Sequence, residues 1–253
     1  MPSTFDPAVY GDHAVDIHDL LYPTVEVPDI VAFLRKRLAD GARVVEFGAG
    51  TGRVAVPLAE HGYEVHGVDA APTMLTALRA KDPAGLVQVH QADFTRDVVG
   101  TGFDLCLLAN NTLLMMPTQD LQCTVLRRAA QHLCTDGLLV VEAYEPSSYH
   151  RLTGKHTQSS VLSSNKLLID SIQNDPVTQT LHFLRTLVTD GRVLTFPEVS
   201  RYCWPAELDM MAKAEGFTLV ERWGGWQESA FDRTSDTYLS VYRLTGPRPP
   251  SDH

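Results

Sequence analysis

Apolar positions along this chain follow two rhythms. Short, largely apolar runs suit strands buried in a sheet, and strands are predicted over 44–47, 64–68, 86–92, 103–109 and 138–143. Between them, apolar residues recur every three or four positions, which predicts helices closed by glycine stops. One passes through Val54, Val56, Leu58 and Ala59 to His61 and Gly62, with Pro57 near its start, where a missing N–H costs least. A second covers 71–81, with Pro72 in its first turn and Met74, Leu75 and Leu78 on one face. A third covers 119–133 and stops at Asp136 and Gly137.

Between 147 and 204 the helical rhythm ceases. Strands are predicted over 166–172, 180–188 and 192–202, joined by turns at Asn174–Asp175–Pro176 and Thr189–Asp190–Gly191. Such strands cannot extend a parallel sheet without crossovers, so they read as an antiparallel insert over the pocket. A helix over 205–215 follows, with Pro205 in its first turn and Gly216 at its stop. Two last strands, 217–226 and 237–244, have no helix between them. Ahead of all this lie a short amphipathic piece over 14–22 and a helix over 29–38 closed by Asp40 and Gly41. The expected organisation is an N-terminal helical lid (1–41), an α/β core (42–146), the β insert (147–200), the rest of the core (201–245) and a Pro-rich disordered tail (246–253).

The stretch VVEFGAGTGRVAVPLAEHGYEVHGVD, residues 44–69, joins strand, glycine turn, helix, strand and terminal acid. That order makes a nucleotide-binding βαβ unit. The dinucleotide fingerprint G-x-G-x-x-G needs glycine at position 53, where this chain has Arg53. Its glycines, Gly48, Gly50 and Gly52, read G-x-G-x-G after Glu46.

This pattern resembles motif I of the class I S-adenosylmethionine (SAM)-dependent methyltransferases. The resemblance implies a Rossmann-like α/β fold: a doubly wound seven-stranded sheet whose last strand is antiparallel. It implies SAM as cofactor and S-adenosylhomocysteine (SAH) as product. Residues matching the family's cofactor site are Glu46, Gly48, Ala49, Gly50 and Gly52, with Asp69 for the ribose hydroxyls. Asp93 and Phe94 match the acid and the apolar cover at the adenine, and Ala70 matches the ring's other face. Met74, Ala109 and Asn110 complete the expected set. Many small-molecule members carry a Tyr-Asp-x-x-Tyr-like lid sequence, against His18-Asp19-Leu20-Leu21-Tyr22 here. Tyr22 matches the second aromatic and His18 departs from the first. Inserts like 147–200 occur in natural-product and amino-sugar methyltransferases.

Composition narrows the reading further. The 253 residues carry 21 Lys and Arg against 31 Asp and Glu, a formal charge of 21 − 31 = −10. Such a surface argues against bulk binding to nucleic acid or an anionic membrane. The N-terminus has neither the basic nor the apolar block of a signal peptide, and no apolar run is long enough to span a bilayer. Cys106, Cys123, Cys134 and Cys203 have no C-x-x-C spacing, so they read as reduced packing residues and the expected location is the cytoplasm. No metal-ligand spacing is present. Glu142 and Glu145 near a strand end lack a partner carboxylate, which argues against a hydrolase.

The expected function is methyl transfer to an amine or hydroxyl of a small molecule, with nitrogen slightly favoured. Alternatives are an O-methyltransferase of a hydroxylated or carboxylated metabolite, an NAD(P)-dependent oxidoreductase, or a SAM-binding protein without transfer. A homo-oligomer stays open. An acceptor hydroxyl needs a base near neutral pH, which points to histidine. His18 is the first candidate and His150 the second, with Tyr10 and Tyr22 as aromatic faces for the sulfonium. Asn110, Asn111 and Thr112, followed by Met115 and Met116, suit an acceptor floor at the exit of the fourth strand.

Overall fold

The computed structural model describes residues 7, 8, 11, 15, 18, 26–189 and 191–246. Tyr10, Tyr22 and the tail beyond 246 lie outside the described residues. In chain order the elements begin with helix α1 (Val27–Arg35), which buries Ile30, Val31, Phe33 and Leu34 on one side. There follow β1 (Arg43–Phe47), α2 (Ala55–Glu60), β2 (Glu64–Asp69), α3 (Pro72–Lys81), β3 (Val87–Gln91) and β4 (Phe103–Leu108). A single 3-10 turn (Thr112–Met115) leads to α4 (Gln119–His132) and β5 (Leu133–Tyr144). Thr118 caps α4 by accepting the Leu121 N–H at 3.2 Å.

These strands join the last two, β10 (Phe217–Trp223) and β11 (Thr237–Leu244), in a seven-stranded sheet ordered β10-β11-β5-β4-β1-β2-β3. All neighbours are parallel except those of β11, which runs antiparallel to both β5 and β10. The expected doubly wound α/β sheet is therefore present. Chain order reverses between β1 and β4, and open α/β sheets bind ligands at the carboxyl ends of strands at such a switch point. Val44, Val45 and Phe47 are fully buried, as a central parallel strand requires.

The second sheet differs from expectation by one strand. Its order is β6-β7-β8-β9, from β6 (Lys155–Ser163), β7 (Lys166–Asp175), β8 (Thr180–Thr189) and β9 (Arg192–Arg201), all antiparallel. The missed strand, β6, has the sequence KHTQSSVLS and is exposed along nearly its whole length. An edge strand facing water has no apolar alternation to reveal it. The one-turn helix α5 (Ser147–His150) was also unforeseen, and α6 (Pro205–Ala214) follows β9 as predicted. One face of the second sheet is buried. Leu187 and Phe196 rest on Ala71 and Met74 of the α3 start, while Leu181 and Phe183 rest near Tyr144 and Tyr149. Among the described residues, no helix is long and apolar enough to cross a membrane.

Candidate active site

A cavity of about 770 Å³ opens at the switch point, bounded by the glycine turn, the exit of β4, the start of α4 and the edge of the second sheet. The turn owes its shape to glycine. Gly48 and Gly50 have φ of 72° and 54°, where a Cβ is disfavoured. A Cβ on Gly48 would fall 2.8 Å from Thr112 Cγ2, so Gly48 is also required by packing. Gly52 does not line the cavity. A Cβ there would meet Leu78 at 2.7 Å, so its small size serves the contact with α3 rather than a ligand.

Asp69 ends β2 and braces the turn. One carboxylate oxygen accepts the Gly50 N–H at 2.9 Å and the other accepts the Ala71 N–H at 2.9 Å. Its carboxylate also lines the cavity, where it is placed to accept hydroxyls of a ligand. Glu46 lies deeper, 4 % exposed, and its Oε2 has no hydrogen-bond partner although it borders the cavity. Burial pushes its carboxyl up to about 8, with Asp69 adding to the rise and with Arg53 and the Ala55 N–H opposing it. A buried acceptor left without a donor costs free energy that a bound cation would offset. Arg53, buried beside it, supplies the opposite charge. An orphaned acid, a buried guanidinium and a glycine cradle fit the zwitterionic end and the ribose of SAM, and Glu46 and Asp69 would hold them.

Of the other expected cofactor residues, Ala49, Ala70, Met74, Phe94, Ala109 and Asn110 all line the cavity. Phe94 stacks on Phe47 with ring centroids 5.2 Å apart, which fixes its face. Asp93 does not line the cavity. Its Oδ1 accepts the Thr95 N–H at 2.9 Å and the Thr95 hydroxyl at 2.7 Å, so the carboxylate closes its own turn.

Asn110 and Asn111 both have positive φ, 52° and 63°. The Asn110 N–H donates to Glu142 Oε2 at 2.5 Å, and Glu142 Oε1 accepts Trp226 Nε1–H at 2.8 Å. Asn111 Oδ1 accepts the Tyr144 N–H at 2.7 Å. Burial raises the Glu142 carboxyl, the Asn110 and Trp226 bonds resisting. Glu142 thus serves as a brace for the β4 exit.

The catalytic candidates separate. His18 borders the cavity and is 8 % exposed, with Nε2 3.6 Å from where a Cβ on Gly50 would sit. Pro7 and Gly11 line the same wall, so the described lead-in residues lie over the cofactor end. His150 is a correction: it is exposed on α5, away from the cavity, its Nδ1 2.8 Å from the Tyr202 hydroxyl and its ring against Trp204. The sequence reading missed the far wall, formed by Thr118, Leu121, Thr180, His182, Pro197, Glu198 and Val199. Burial parity within β9 was the available signal for Glu198, since it shares the inward face with Phe196 and Ser200.

Comparison with known proteins agrees with this geometry. Residues 44–137 match the family described as "Methyltransferase domain". The chain is 26% identical over 240 residues to the cypemycin N-terminal methyltransferase of a Streptomyces species, covering 93% of this chain and 98% of that protein. The CcbJ methyltransferase from Streptomyces caelestis superposes with a TM-score of 0.89 at 33% identity, covering 96% of this chain and 100% of that one. SAM-bound CalS10, an amino pentose methyltransferase from Micromonospora echinaspora, shares the fold with a TM-score of 0.68 at 18% identity, over 97% of this chain and 100% of that one. The first two are methyltransferases, which goes against the oxidoreductase alternative. The chain belongs to the class I SAM-dependent methyltransferases, and SAM is its cofactor.

Proposed function

We propose that this enzyme methylates an amine nitrogen of a small molecule. The observation that carries this reading is the single continuous cavity. Its volume of about 770 Å³ lies within the range of small-molecule sites, and it joins the glycine turn to a wall containing the acid Glu198. Bound SAM supplies a methyl group already activated by its sulfonium. The protein's part is to align the acceptor and exclude water, which in well-oriented pairs is worth on the order of 7–11 kcal/mol of barrier. Residues 42–146 and 201–245 hold the cofactor, 147–200 cover the acceptor, and the described lead-in residues Pro7, Gly11 and His18 close over the cofactor end. Met115, Met116 and Leu121 give the acceptor an apolar floor. His18 receives the acceptor's proton. A second reading keeps the amine but places it at a peptide's end, favoured by the likeness to the cypemycin N-terminal methyltransferase.

The deciding experiment is a transfer assay with SAM over matched amines, alcohols and short peptides, with products fragmented by mass spectrometry. N-Methylated small amines are the expected product; methyl ethers or esters alone overturn the reading, and methylated peptide termini select the second. In the same assay His18→Ala should lower turnover at least ~100-fold while SAH affinity changes little. Equal losses in both would make His18 a cofactor-packing residue.

A further inference from the structure

On the inward face of the second sheet, one arginine sits between two acids. Arg185 on β8 donates to Glu198 on β9 through Nε at 2.8 Å and Nη2 at 3.2 Å, a bidentate pair. Its Nη1 is 3.6 Å from Asp170 Oδ1 on β7. Asp170 and Glu198 are 6% and 7% exposed, and Asp170 Oδ1 makes no hydrogen bond. Burial raises the Glu198 carboxyl and Arg185 opposes the rise; with both acids ionised, two carboxylates share one guanidinium and the group is one negative charge in excess. Buried charge of this kind is costly unless a partner arrives. Only Glu198 of the three reaches the cavity wall.

The rest of the cavity points the same way. Among the described residues, its charged lining is Glu46, Asp69 and Glu198 against Arg53. With histidines neutral and, as in the cofactor-bound state, all three acids ionised, these sum to 1 − 3 = −2. SAM, a zwitterion with a sulfonium, brings +1 and leaves one negative charge on the acceptor side.

We propose that Glu198, held by Arg185 and backed by Asp170, selects acceptors that carry a basic nitrogen by binding their ammonium form in the far half of the cavity. This rests on the methyltransferase reading above and names the acceptor's charge. Two of the roughly four acceptor positions of Glu198 are taken by Arg185, so the carboxylate retains capacity for an N–H of the ligand. The apolar neighbours Met115, Met116, Leu121 and Val199 keep water away and strengthen that contact.

The test uses the full chain saturated with SAH and a panel of several carbon skeletons, each offered as amine, alcohol and carboxylate. Binding is read by thermal shift and then calorimetry. The amines should bind at least about tenfold tighter than their alcohols, with the carboxylates weakest. Glu198→Gln should abolish that preference and leave SAH affinity unchanged. Asp170→Asn removes the same unit of charge without touching the cavity wall, and should move the preference in the same direction even if Glu198→Gln fails to fold. Alcohols or carboxylates that bind as well as amines, a panel without any binder, or an amine preference that survives in both variants would overturn the proposal. Exclusive O-methylation would defeat the function itself. N-Methylated products whose binding ignores Glu198 would defeat only this inference.

Discussion

The two ends of the cavity are made of different materials. At the cofactor end the working groups are backbone N–H groups, two glycines at positive φ and acids at or near strand ends, all within residues 46–71. At the far end they are side chains of β8 and β9, more than 100 residues later, standing on an antiparallel sheet. Backbone geometry demands particular residues at fixed spacing, so it leaves a motif in the chain. A side-chain wall demands only a shape and a charge at inward positions, and many sequences can meet that. The cofactor end should therefore tolerate almost no change, and the far end should change acceptor choice without disturbing the cofactor.

The sharpest contrast is expected at Gly48. A valine there would carry a disfavoured positive φ and drive its Cβ to 2.8 Å from Thr112 Cγ2. Gly48→Val should weaken SAH binding at least ~100-fold, equivalent to ~2.7 kcal/mol, with circular dichroism showing the sheet intact. A folded variant with parental SAH affinity would mean that the turn is not the cofactor cradle.

That contrast also explains what the sequence disclosed. The seven-stranded sheet was legible because buried parallel strands are short, largely apolar runs, and in Val44 to Phe47 only Glu46 interrupts one. The glycine turn was legible because steric exclusion of a Cβ leaves few substitutes. Strand β6 was not, since an exposed polar edge has no periodicity. Asp93 and His150 stand outside the cavity lining for another reason. An aspartate after a strand suits a ligand or its own turn equally well, and here the Thr95 N–H and hydroxyl are its partners. His150 sits close in sequence to the carboxyl end of β5, but α5 carries it to the surface beside Tyr202. The bracing role of Glu142 was not legible either, because its donors, the Asn110 N–H and the Trp226 indole, come from distant parts of the chain.

A smaller effect is expected from pH, and it too separates the ends. Burial pushes the Glu46 carboxyl up to about 8, so near pH 7 the free protein mostly keeps that proton. The folded state binds the proton more tightly than the unfolded chain does. This contribution to stability is thus full below about 4.5 and is lost as pH rises through about 8. An ammonium ligand needs the carboxylate, so SAH binding near pH 7 should release about one proton. Affinity should then rise by up to about tenfold per pH unit below 8 and level off above it. Calorimetry in two buffers of different ionisation enthalpy measures the proton count. Glu46→Gln should remove the release; an unchanged count would place the proton elsewhere.

The smallest change in SAH affinity is expected where the two ends touch. Phe196 of β9 is 2% exposed and packs with Leu187 on Ala71 and Met74, and Met74 lines the cofactor end. Truncating a buried phenylalanine costs roughly 3–5 kcal/mol of stability, so Phe196→Ala should melt at a clearly lower temperature. If the second sheet serves the acceptor alone, the surviving folded protein should bind SAH within about threefold of the parent, because Glu46, the glycine turn and Asp69 keep their own supports. Met74 is the route by which this could fail: without the Phe196 ring its flexible side chain has room to leave the cofactor wall. Titration well below the melting temperature separates the two outcomes, since only binding by folded protein is then read. A loss of tenfold or more under those conditions would make the second sheet a structural part of the cofactor site and erase the division between the two ends.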